Sequence, residues 1–511
     1  MEETEPTFLP EAIIHRIQNY LGKKEAARTC VLSKSWYTAW STHPVINLDE
    51  SDFRAAQEFS NFSRRTLLRY KRLHLCIENF ELFMRVGNVG DDSSSLASEL
   101  IIDALQLKVN YLGLEIISLP RNTYVLPVQV FATISLKKLA VRQCQVSGLT
   151  DGGVNCSNLA SLSLFRVSIE DDMIRRILLG CPFIENLRLI QCKGLRNINL
   201  SEMHKLRKVS VRDRKDDLKI EFEERRVGSV LYGQVNVPKF RYLSSLILKD
   251  LNIDNTFFHE FSHKFPCLGY LTLADCHGYR DVRISSHSLE HINLTCQYRK
   301  LKKACFDVPG IRKFKFIGIN FPSLSVTTAS REWESDIKLS CLHDVLKVSW
   351  FRKLRNFLAQ LSFSKISLSL EFDNEECDAF VGDVQGFPIP VVENLMLKVA
   401  TSVCYSLLNG LFWSCRPKFI TQCDGNDTQL REMNRRLLWL LRKRLRQKDN
   451  QNCINDLEEA IPEFFEETLL KWQPFPPEAF FIASKIPERR KQIRFRLTWD
   501  HFSVPDPTMV R

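Results

Sequence analysis

The chain has 511 residues, with 71 Lys and Arg against 60 Asp and Glu, and 44% of its residues are hydrophobic. This length predicts about two or three folded units with a large core. No apolar run is long enough to cross a membrane and no secretory signal is visible, so a membrane association is not expected. The 16 Cys include no CxxC pair, which predicts reduced, mostly buried thiols in the nucleus and/or cytoplasm.

Residues 8–44 predict three short helices. The first follows Pro10, and its apolar residues have the spacing of one helix face: Ile13, Ile14, Ile17, Tyr20 and Leu21. A shorter helix is predicted over residues 25–32, and Ser33 is a plausible N-cap for a third. So short a segment cannot bury all of this apolar surface alone, and a partner is expected to cover part of it.

The motifs of this segment point to a family. The order LP-E, then Ile14, Ile17 and Leu21, then EAARTCVLSKSW closely resembles the plant F-box. In that family the F-box docks on a Skp-type linker protein, which joins it to a cullin ubiquitin ligase. The resemblance implies these residues as contacts of the linker protein or as shapers of its docking surface: Leu9, Pro10, Ile14, Ile17, Leu21, Val31, Leu32 and Trp36. For Ile17 and Leu21 an internal packing role is equally open, and an ordinary three-helix cap is the alternative for the whole segment.

Residues 51–110 predict a helical transition segment, with helices near 53–70 and 96–107. From about residue 111, units of the form L-x-x-L-x-L recur. They are Leu136/Leu139/Val141, Leu159/Leu162/Leu164, Ile184/Leu187/Leu189, Leu206/Val209/Val211, Leu243/Leu246/Leu248, Leu268/Leu271/Leu273, Leu289/Ile292/Leu294, Ile311/Phe314/Phe316 and Val392/Leu395/Leu397. Most intervals are 21 to 25 residues, within the range of a leucine-rich repeat.

Stacked units of this kind share a core that one unit cannot form alone. The longest interval is expected to hide degenerate units, including Ile366/Leu368/Leu370, and the extra unit Leu195/Ile198/Leu200 has no predicted place. Cys144, Cys192 and Cys276 follow three of the strands at a fixed offset, close to the loop backbone. A mixed α/β domain with coincidental strands is the alternative.

The order of an F-box, irregular repeats and GLFWSCRP at 410–417 resembles the plant F-box/leucine-rich-repeat proteins over roughly the first 420 residues. The fold class that we predict is α/β: an N-terminal three-helix F-box, an irregular leucine-rich-repeat solenoid and a mostly helical C-terminal extension. The predicted divisions are residues 1–50 for the F-box, 51–110 for the transition segment, 111–417 for the repeats and 418–511 for the basic extension.

Outward positions of the predicted strands carry basic residues and no Asp or Glu. Alternation along each strand predicts that these residues face the concave surface of the repeats. Those proposed for substrate binding are Arg142, Arg188, Lys208, Arg212, Lys249, Lys313 and Lys315. The pattern suggests that the substrate is an acidic or phosphorylated protein segment. Chance and register errors are an equally open explanation.

Residues 427–448 predict one basic helix with a leucine stripe. We favour a cap that packs the stripe on the repeats and solvates the arginines. A nuclear import signal around Lys443–Arg446 is the next reading, and binding to a membrane surface or a helix-binding groove is a third.

No catalytic pattern stands out: there is no phosphate-binding glycine loop, zinc-ligand spacing or nucleophile elbow. His287 and His291 are four residues apart without a third ligand. We therefore expect no enzyme activity, metal or cofactor. The predicted function is that of the substrate-recognition subunit of an SCF-type cullin ubiquitin ligase. The alternatives are an F-box/repeat interaction protein without a ligase, and a nucleic-acid-binding protein that uses the basic C-terminal helices, although a nucleic-acid partner is not expected.

Overall fold

The computed structural model of the chain divides into two compact units, Met1–Leu243 and Ser244–Arg511. Each unit consists mainly of parallel β-strands that are joined by helices and loops. The structure describes residues 9–87, 92–118, 123–150, 152–213, 218–221, 240–253, 255–297, 301–330, 332–341, 346–372, 389–399, 404–422, 427–446, 457–466, 471–474 and 493–499.

The first unit begins with three short helices and continues with longer ones. Its α-helices are α1 (Glu11–Tyr20), α2 (Lys23–Arg28), α3 (Lys34–Ser41), α4 (Ala56–Arg72), α5 (Asp92–Gln106) and α6 (Asp171–Gly180). Ser33 caps α3, because its side chain accepts a hydrogen bond from the backbone N–H of Trp36 at 3.4 Å. Helices α4 and α5 match the two helices that the sequence predicted between residues 51 and 110.

The strands of the first unit are β1 (Val45–Asp49), β2 (Asn79–Val86), β3 (Tyr111–Ser118), β4 (Lys138–Arg142), β5 (Ser161–Phe165), β6 (Asn186–Ile190), β7 (Asn197–Asn199), β8 (Lys208–Arg212) and β9 (Lys219–Glu221). All but β7 and β9 form one parallel ladder in the order β1-β2-β3-β4-β5-β6-β8. Its strands therefore begin earlier in the chain than the predicted repeats.

The second unit contains α7 (Phe261–Lys264), α8 (Val348–Ala359), α9 (Tyr405–Ser414) and α10 (Asp427–Arg446). Its strands are β10 (Ser245–Lys249), β11 (Tyr270–Ala274), β12 (Asp281–Ser285), β13 (His291–Cys296), β14 (Lys303–Asp307), β15 (Lys313–Gly318), β16 (Ser323–Thr327), β17 (Glu334–Cys341), β18 (Lys365–Phe372), β19 (Val391–Val399), β20 (Arg416–Gln422), β21 (Leu457–Glu466), β22 (Lys471–Pro474) and β23 (Ile493–Trp499).

The parallel order in this unit is β10-β11-β13-β15-β17-β18-β19-β20. Strands β12, β14 and β16 form a separate parallel ladder. After β20 the direction changes, because β23 pairs antiparallel with both β20 and β21, and β22 pairs antiparallel with β21.

The apolar pattern of the sequence is the core of both units. Every apolar residue of the nine predicted triplets is buried, and so are Ile366, Leu368 and Leu370 on β18. Because side chains alternate along a strand, each buried pair leaves its neighbours on the opposite face. The extra unit around Ile198 is buried too, but it forms β7 and pairs with β9, outside the main ladder.

A repeated turn leaves the strands. Gln143, Arg166 and Gln191 directly follow β4, β5 and β6, and each has a left-handed backbone with φ between 53° and 59°. Their N–H groups donate to the carbonyls of Phe165, Ile190 and Arg212 at 3.0, 2.8 and 2.7 Å. The turn thus extends the hydrogen bonding between neighbouring strands by one residue, and its recurrence is independent support for a repeat.

The cysteines that follow the strands are structural. The thiols of Cys144 and Cys276 donate to backbone carbonyls at 3.3 Å, and burial raises the pKa of each to about 12. Burial likewise raises the pKa of Cys192 to about 11. Thiols held in this way are protonated at neutral pH and are poor nucleophiles.

The predicted mostly helical C-terminal extension is wrong in part. Helix α10 is present, but the described residues from 457 onward form β21, β22 and β23. The signal for β23 is strict alternation of apolar residues in IRFRLTW, which the basic charge of the segment had obscured. On β23, Arg494 lies between the rings of Phe419 and Trp472 and forms a salt bridge with the buried carboxylate of Glu463 at 2.7 Å.

Helix α10 packs its leucine stripe inward, with Leu437, Leu440 and Leu441 buried. Its arginines are not all solvated, since Arg444 is buried and its guanidinium donates to the side-chain oxygen of Asn409. The guanidinium also lies 5.0 Å from the ring centre of Phe412. The inward leucine stripe is what the predicted cap requires, whereas the burial of Arg444 differs from the predicted solvation of the arginines.

Candidate protein-interaction surfaces

The N-terminal helical segment, residues 9–44, exposes most of the residues that the resemblance singled out. Val31 is 87% exposed, Leu32 63% and Leu9 47%, and Pro10 is exposed as well. Leu21 and Trp36 are half-buried, and Ile17 is 36% exposed. Ile14 is 1% exposed, so it supports the segment from inside and has no free surface for a partner.

Much of the predicted apolar face of helix α1 is exposed. Ile13, Ile17 and Tyr20 are 43%, 36% and 81% exposed. The buried residues of α1 are Ile14 and Gln18. The amide of Gln18 donates to the hydroxyl of Thr29 at 3.0 Å, so a polar group takes part of the place that an apolar face would have filled.

Hydrogen bonds fix the three helices to one another. An imidazole nitrogen of His15 lies 2.8 Å from the carbonyl oxygen of Ala39, which joins α1 to α3. The hydroxyl of Thr42 donates to the carboxylate of Glu11 at 2.6 Å. Exposed apolar side chains on a segment fixed in this way are available to a protein partner without rearrangement. Tyr37 of the same segment is 57% exposed and was not predicted.

The second candidate surface is the outward side of β4, β5, β6 and β8, called here the first strand face. The register aligns its side chains in three rows: Lys138, Ser161, Asn186 and Lys208; Ala140, Ser163, Arg188 and Ser210; Arg142, Phe165, Ile190 and Arg212. Lys138, Arg142, Arg188, Lys208 and Arg212 are all exposed. No outward position of these four strands carries an acidic residue.

Arg142 has an acidic neighbour on the adjacent strand β3, since its guanidinium lies 3.3 Å from the carboxylate of Glu115. For Lys138, Arg188 and Lys208, the described part of the chain offers no carboxylate within salt-bridge distance. The structure therefore brings four of the predicted cations, Arg142, Arg188, Lys208 and Arg212, onto one surface together with Lys138.

The outward side of β10, β11, β13, β15, β17, β18 and β19, the second strand face, is arranged differently. Lys313 and Lys315 on β15 form salt bridges with Glu334 and Asp336 on β17 at 3.5 and 3.4 Å. Glu371 on β18 lies 3.6 Å from the ammonium of Lys338 and 2.8 Å from that of Lys398. The sequence did not identify β17, so Glu334 and Asp336 were missed as acidic partners.

Glu371 is a carboxylate that pairs with two lysines of this face. The hydrogen bond from Lys398 holds its pKa below the ordinary value, and the positive charge of Lys338 lowers it further. Lys249, the remaining predicted cation in this unit, is half-buried on β10. The second strand face is thus largely neutralised within itself.

Chemistry-bearing clusters are scarce in the described ranges. They contain no group of three or more His, Cys, Asp or Glu side chains that could hold a metal ion. His291 lies on β13, with its ring centre 5.1 Å from that of Tyr270. Within the same ranges, no helix combines the length and the apolar character needed to cross a bilayer.

The repeated parallel strands, their buried leucines and their left-handed turns define a leucine-rich-repeat type of protein. The family model of the leucine-rich repeats of FBD-associated F-box protein At5g56370 matches residues 107–228. Among curated proteins, F-box/FBD/LRR-repeat protein At1g78750 of Arabidopsis thaliana is 26% identical over 35% of this chain and 40% of its own length.

F-box/LRR-repeat protein 25 of Arabidopsis thaliana is 27% identical over 37% of this chain and 68% of its own length. F-box protein At1g60400 of the same plant is 24% identical over 56% of this chain and 71% of its own length. The chain spans about two fifths of the first three curated relatives, at 40%, 38% and 38% of their lengths. These matches confirm the predicted resemblance to the plant F-box/leucine-rich-repeat proteins.

Proposed function

We propose that the chain is the substrate-recognition subunit of an SCF-type cullin ubiquitin ligase. The observation that carries this proposal is the exposed apolar surface of Leu9, Ile17, Val31 and Leu32, which lies on a helical segment whose motif order resembles the F-box. A Skp-type linker protein would bury this surface and join the chain to a cullin. The names of the curated relatives, which include the term F-box, support the same assignment.

In this proposal the chain acts by proximity. The N-terminal helical segment holds the ligase and the strands hold the substrate, so that a substrate lysine stays close to a charged conjugating enzyme. The effective concentration of the two reactants rises, because one chain tethers both. In this role the chain itself forms no covalent intermediate and contributes no catalytic residue.

The test is direct binding between the purified full chain and a plant Skp-type linker protein. Two substitutions, Val31→Ala and Leu32→Ala, remove the two most exposed apolar side chains of the proposed set. Together they should weaken binding at least tenfold, about 1.4 kcal/mol, as expected for interface residues that become fully buried. The matched control is Val128→Ala with Ile134→Ala, which removes equally apolar side chains that are 41% and 55% exposed elsewhere in the same unit.

A folded wild-type chain that does not bind the linker protein would defeat the proposal, as would equal weakening by the two double variants. Recovery of a cullin with the chain from a plant extract separates a ligase subunit from an F-box/repeat protein that acts without a ligase. The nucleic-acid alternative predicts a steep loss of affinity for generic nucleic acid as salt rises.

A further inference from the structure

We propose that the first strand face selects an extended, acidic peptide segment of the substrate, and that the second strand face contributes no charge selection. This inference rests on the proposed function, because it names the substrate class that the receptor would recognise. It assigns the recognition to Lys138, Arg142, Arg188, Lys208 and Arg212, on one side of four consecutive strands of the main ladder.

The spacing of the cations fits an extended chain. Arg142 and Arg212 lie in the same row, separated by β5 and β6, which is three strand-to-strand steps of about 4.8 Å, or about 14 Å in total. An extended peptide rises about 3.3 Å per residue, so it would cross this distance with about four residues. Acidic side chains about four residues apart would therefore reach both guanidinium groups. Arg188 lies on β6, one of the two strands between them.

The charge of the surface favours an acidic peptide. On the outward positions of β4, β5, β6 and β8 all charged side chains are basic. Lys138, Arg188 and Lys208 remain exposed with no described carboxylate in salt-bridge range, so an incoming carboxylate or phosphate would be attracted without first breaking an internal pair.

An apolar strip lies between the two ends of the third row. Phe165 and Ile190 are half-buried there, and the guanidinium groups of Arg142 and Arg166 lie 5.7 and 5.1 Å from the centre of the Phe165 ring. A segment with an apolar residue between two acidic ones would fill this strip. A single aromatic ring on the outward side of these four strands does not provide the successive stacking positions that single-stranded nucleic acid uses.

The second strand face shows why equal numbers of cations do not give equal surfaces. An acidic segment there would compete with Glu334, Asp336 and Glu371, which already hold their lysines at 2.8 to 3.6 Å. It would also be repelled by the same carboxylates. Charge selection is therefore expected on the first strand face only.

The experiment measures fluorescence anisotropy of labelled nine-residue peptides with the full chain at about 0.15 M salt, where charges are screened beyond about 8 Å. The main probe alternates Asp and Ala. Its neutral counterpart carries Asn in place of Asp, and a third version carries phosphoserine. The variant is Arg188→Gln/Lys208→Gln, and the matched control is Lys313→Gln/Lys315→Gln, which removes the same net charge from the second strand face.

The wild type should bind the Asp peptide at least tenfold more tightly than the Asn peptide. The variant Arg188→Gln/Lys208→Gln should lose at least tenfold, and the control should stay within twofold. Tighter binding of the phosphoserine peptide would make phosphorylation the source of the negative charge, whereas equal or weaker binding would point to Asp and Glu.

Equal losses in the two double variants would overturn the inference, since net charge alone would then explain binding. Absence of any preference for the Asp peptide would do the same, as would tighter binding of a single-stranded oligonucleotide through Arg188 and Lys208. Binding of the linker protein by the same preparations is measured in parallel. If the wild type does not bind the linker protein, the proposed function is defeated. If it binds the linker protein but shows no preference among the peptides, the inference alone is defeated.

Discussion

The two strand faces share the alternation of buried and outward residues, but they differ in charge: the first is basic and the second is largely neutralised. In both units alternate strand residues are buried, and the turns after several strands have the same left-handed residue, as at Gln143 in the first unit and Asp275 in the second. The outward residues differ, since lysines of the second unit meet carboxylates on the next strand, whereas Arg188 and Lys208 do not. The stacked core constrains the inward residues only, which leaves the outward ones free to carry specificity.

The largest expected effect concerns the buried cores of the two units, which should be equally important for stability. Leu162→Ala in the first unit and Leu294→Ala in the second each remove a side chain that is at most 1% exposed. Each should lower the free energy of unfolding by about 2–5 kcal/mol, from lost apolar burial and the cavity left behind. Urea denaturation of the full chain measures this change in the free energy of unfolding. Leu68→Ala, at a side chain that is 45% exposed, is the control, with an expected change below about 0.5 kcal/mol. A negligible cost in one unit would break the equivalence of the cores.

The next effect converts the second strand face toward the first. Glu371→Gln removes the carboxylate that pairs with both Lys338 and Lys398. We expect a loss of about 1 kcal/mol in stability, since partly exposed ion pairs contribute about 0.2–1 kcal/mol each. The same variant should bind the Asp peptide more tightly than the wild type by about threefold to fivefold, which corresponds to about 1 kcal/mol between unit charges near 4 Å in water. Unchanged peptide binding would argue that self-neutralisation is not what distinguishes the faces.

The pH dependence of the same pair sharpens the point. The pKa of Glu371 is lowered in the folded chain by its hydrogen bond from Lys398, so its carboxylate stabilises the fold above its unfolded pKa of about 4.3. This contribution is lost as pH falls through the folded-state pKa. The difference in stability between wild type and Glu371→Gln should therefore be constant above about pH 5 and should disappear in stronger acid. Chemical denaturation at several pH values measures it, and a difference that grows in acid would contradict the assignment.

The smallest effect is expected for the ion pair of the first strand face. Arg142 and Glu115 are 57% and 32% exposed at their side chains and 3.3 Å apart. A double-mutant cycle with Arg142→Gln and Glu115→Gln should give a coupling free energy below about 0.5 kcal/mol, because solvent screens the pair. A pair this weak would release Arg142 to an acidic peptide at little cost. A coupling above about 1 kcal/mol would instead mark Arg142 as structural.

Much of the fold could be predicted, because leucines at repeated spacing are buried together when the units stack. The nine triplets follow from that spacing, and helices α4 and α5 follow from helical periodicity. The leucine spacing did not predict strand β17, because one of its core positions holds Ser335. The hydroxyl of Ser335 hydrogen-bonds to that of Ser364 at 2.7 Å. Strand β2 carries the same spacing in Ile77, Phe80 and Leu82, all of them buried, but it lies outside the range in which repeats were expected.

The candidate surfaces were predictable to a smaller extent. Alternation along the predicted strands indicated which cations face outward. Whether each cation pairs with a carboxylate depends on neighbouring strands, and the pattern did not reveal all of these. In the N-terminal helical segment, spacing alone could not distinguish Ile14, which is buried, from Ile13 and Ile17, which are exposed. Helical periodicity identifies an apolar stripe, while the direction of that stripe depends on how the helices pack.

The antiparallel strands after β20 have a consequence for solubility. A parallel ladder ends in a row of unpaired backbone groups, which can recruit the same edge of another molecule. Here β23 occupies the edge of β20, and β21 and β22 follow. The outermost of these described strands, β22, is four residues long and contains Lys471 and Pro474, features that discourage further pairing. A chain shortened before residue 457 should therefore form aggregates through the freed edge of β20, even though its leucine core is intact.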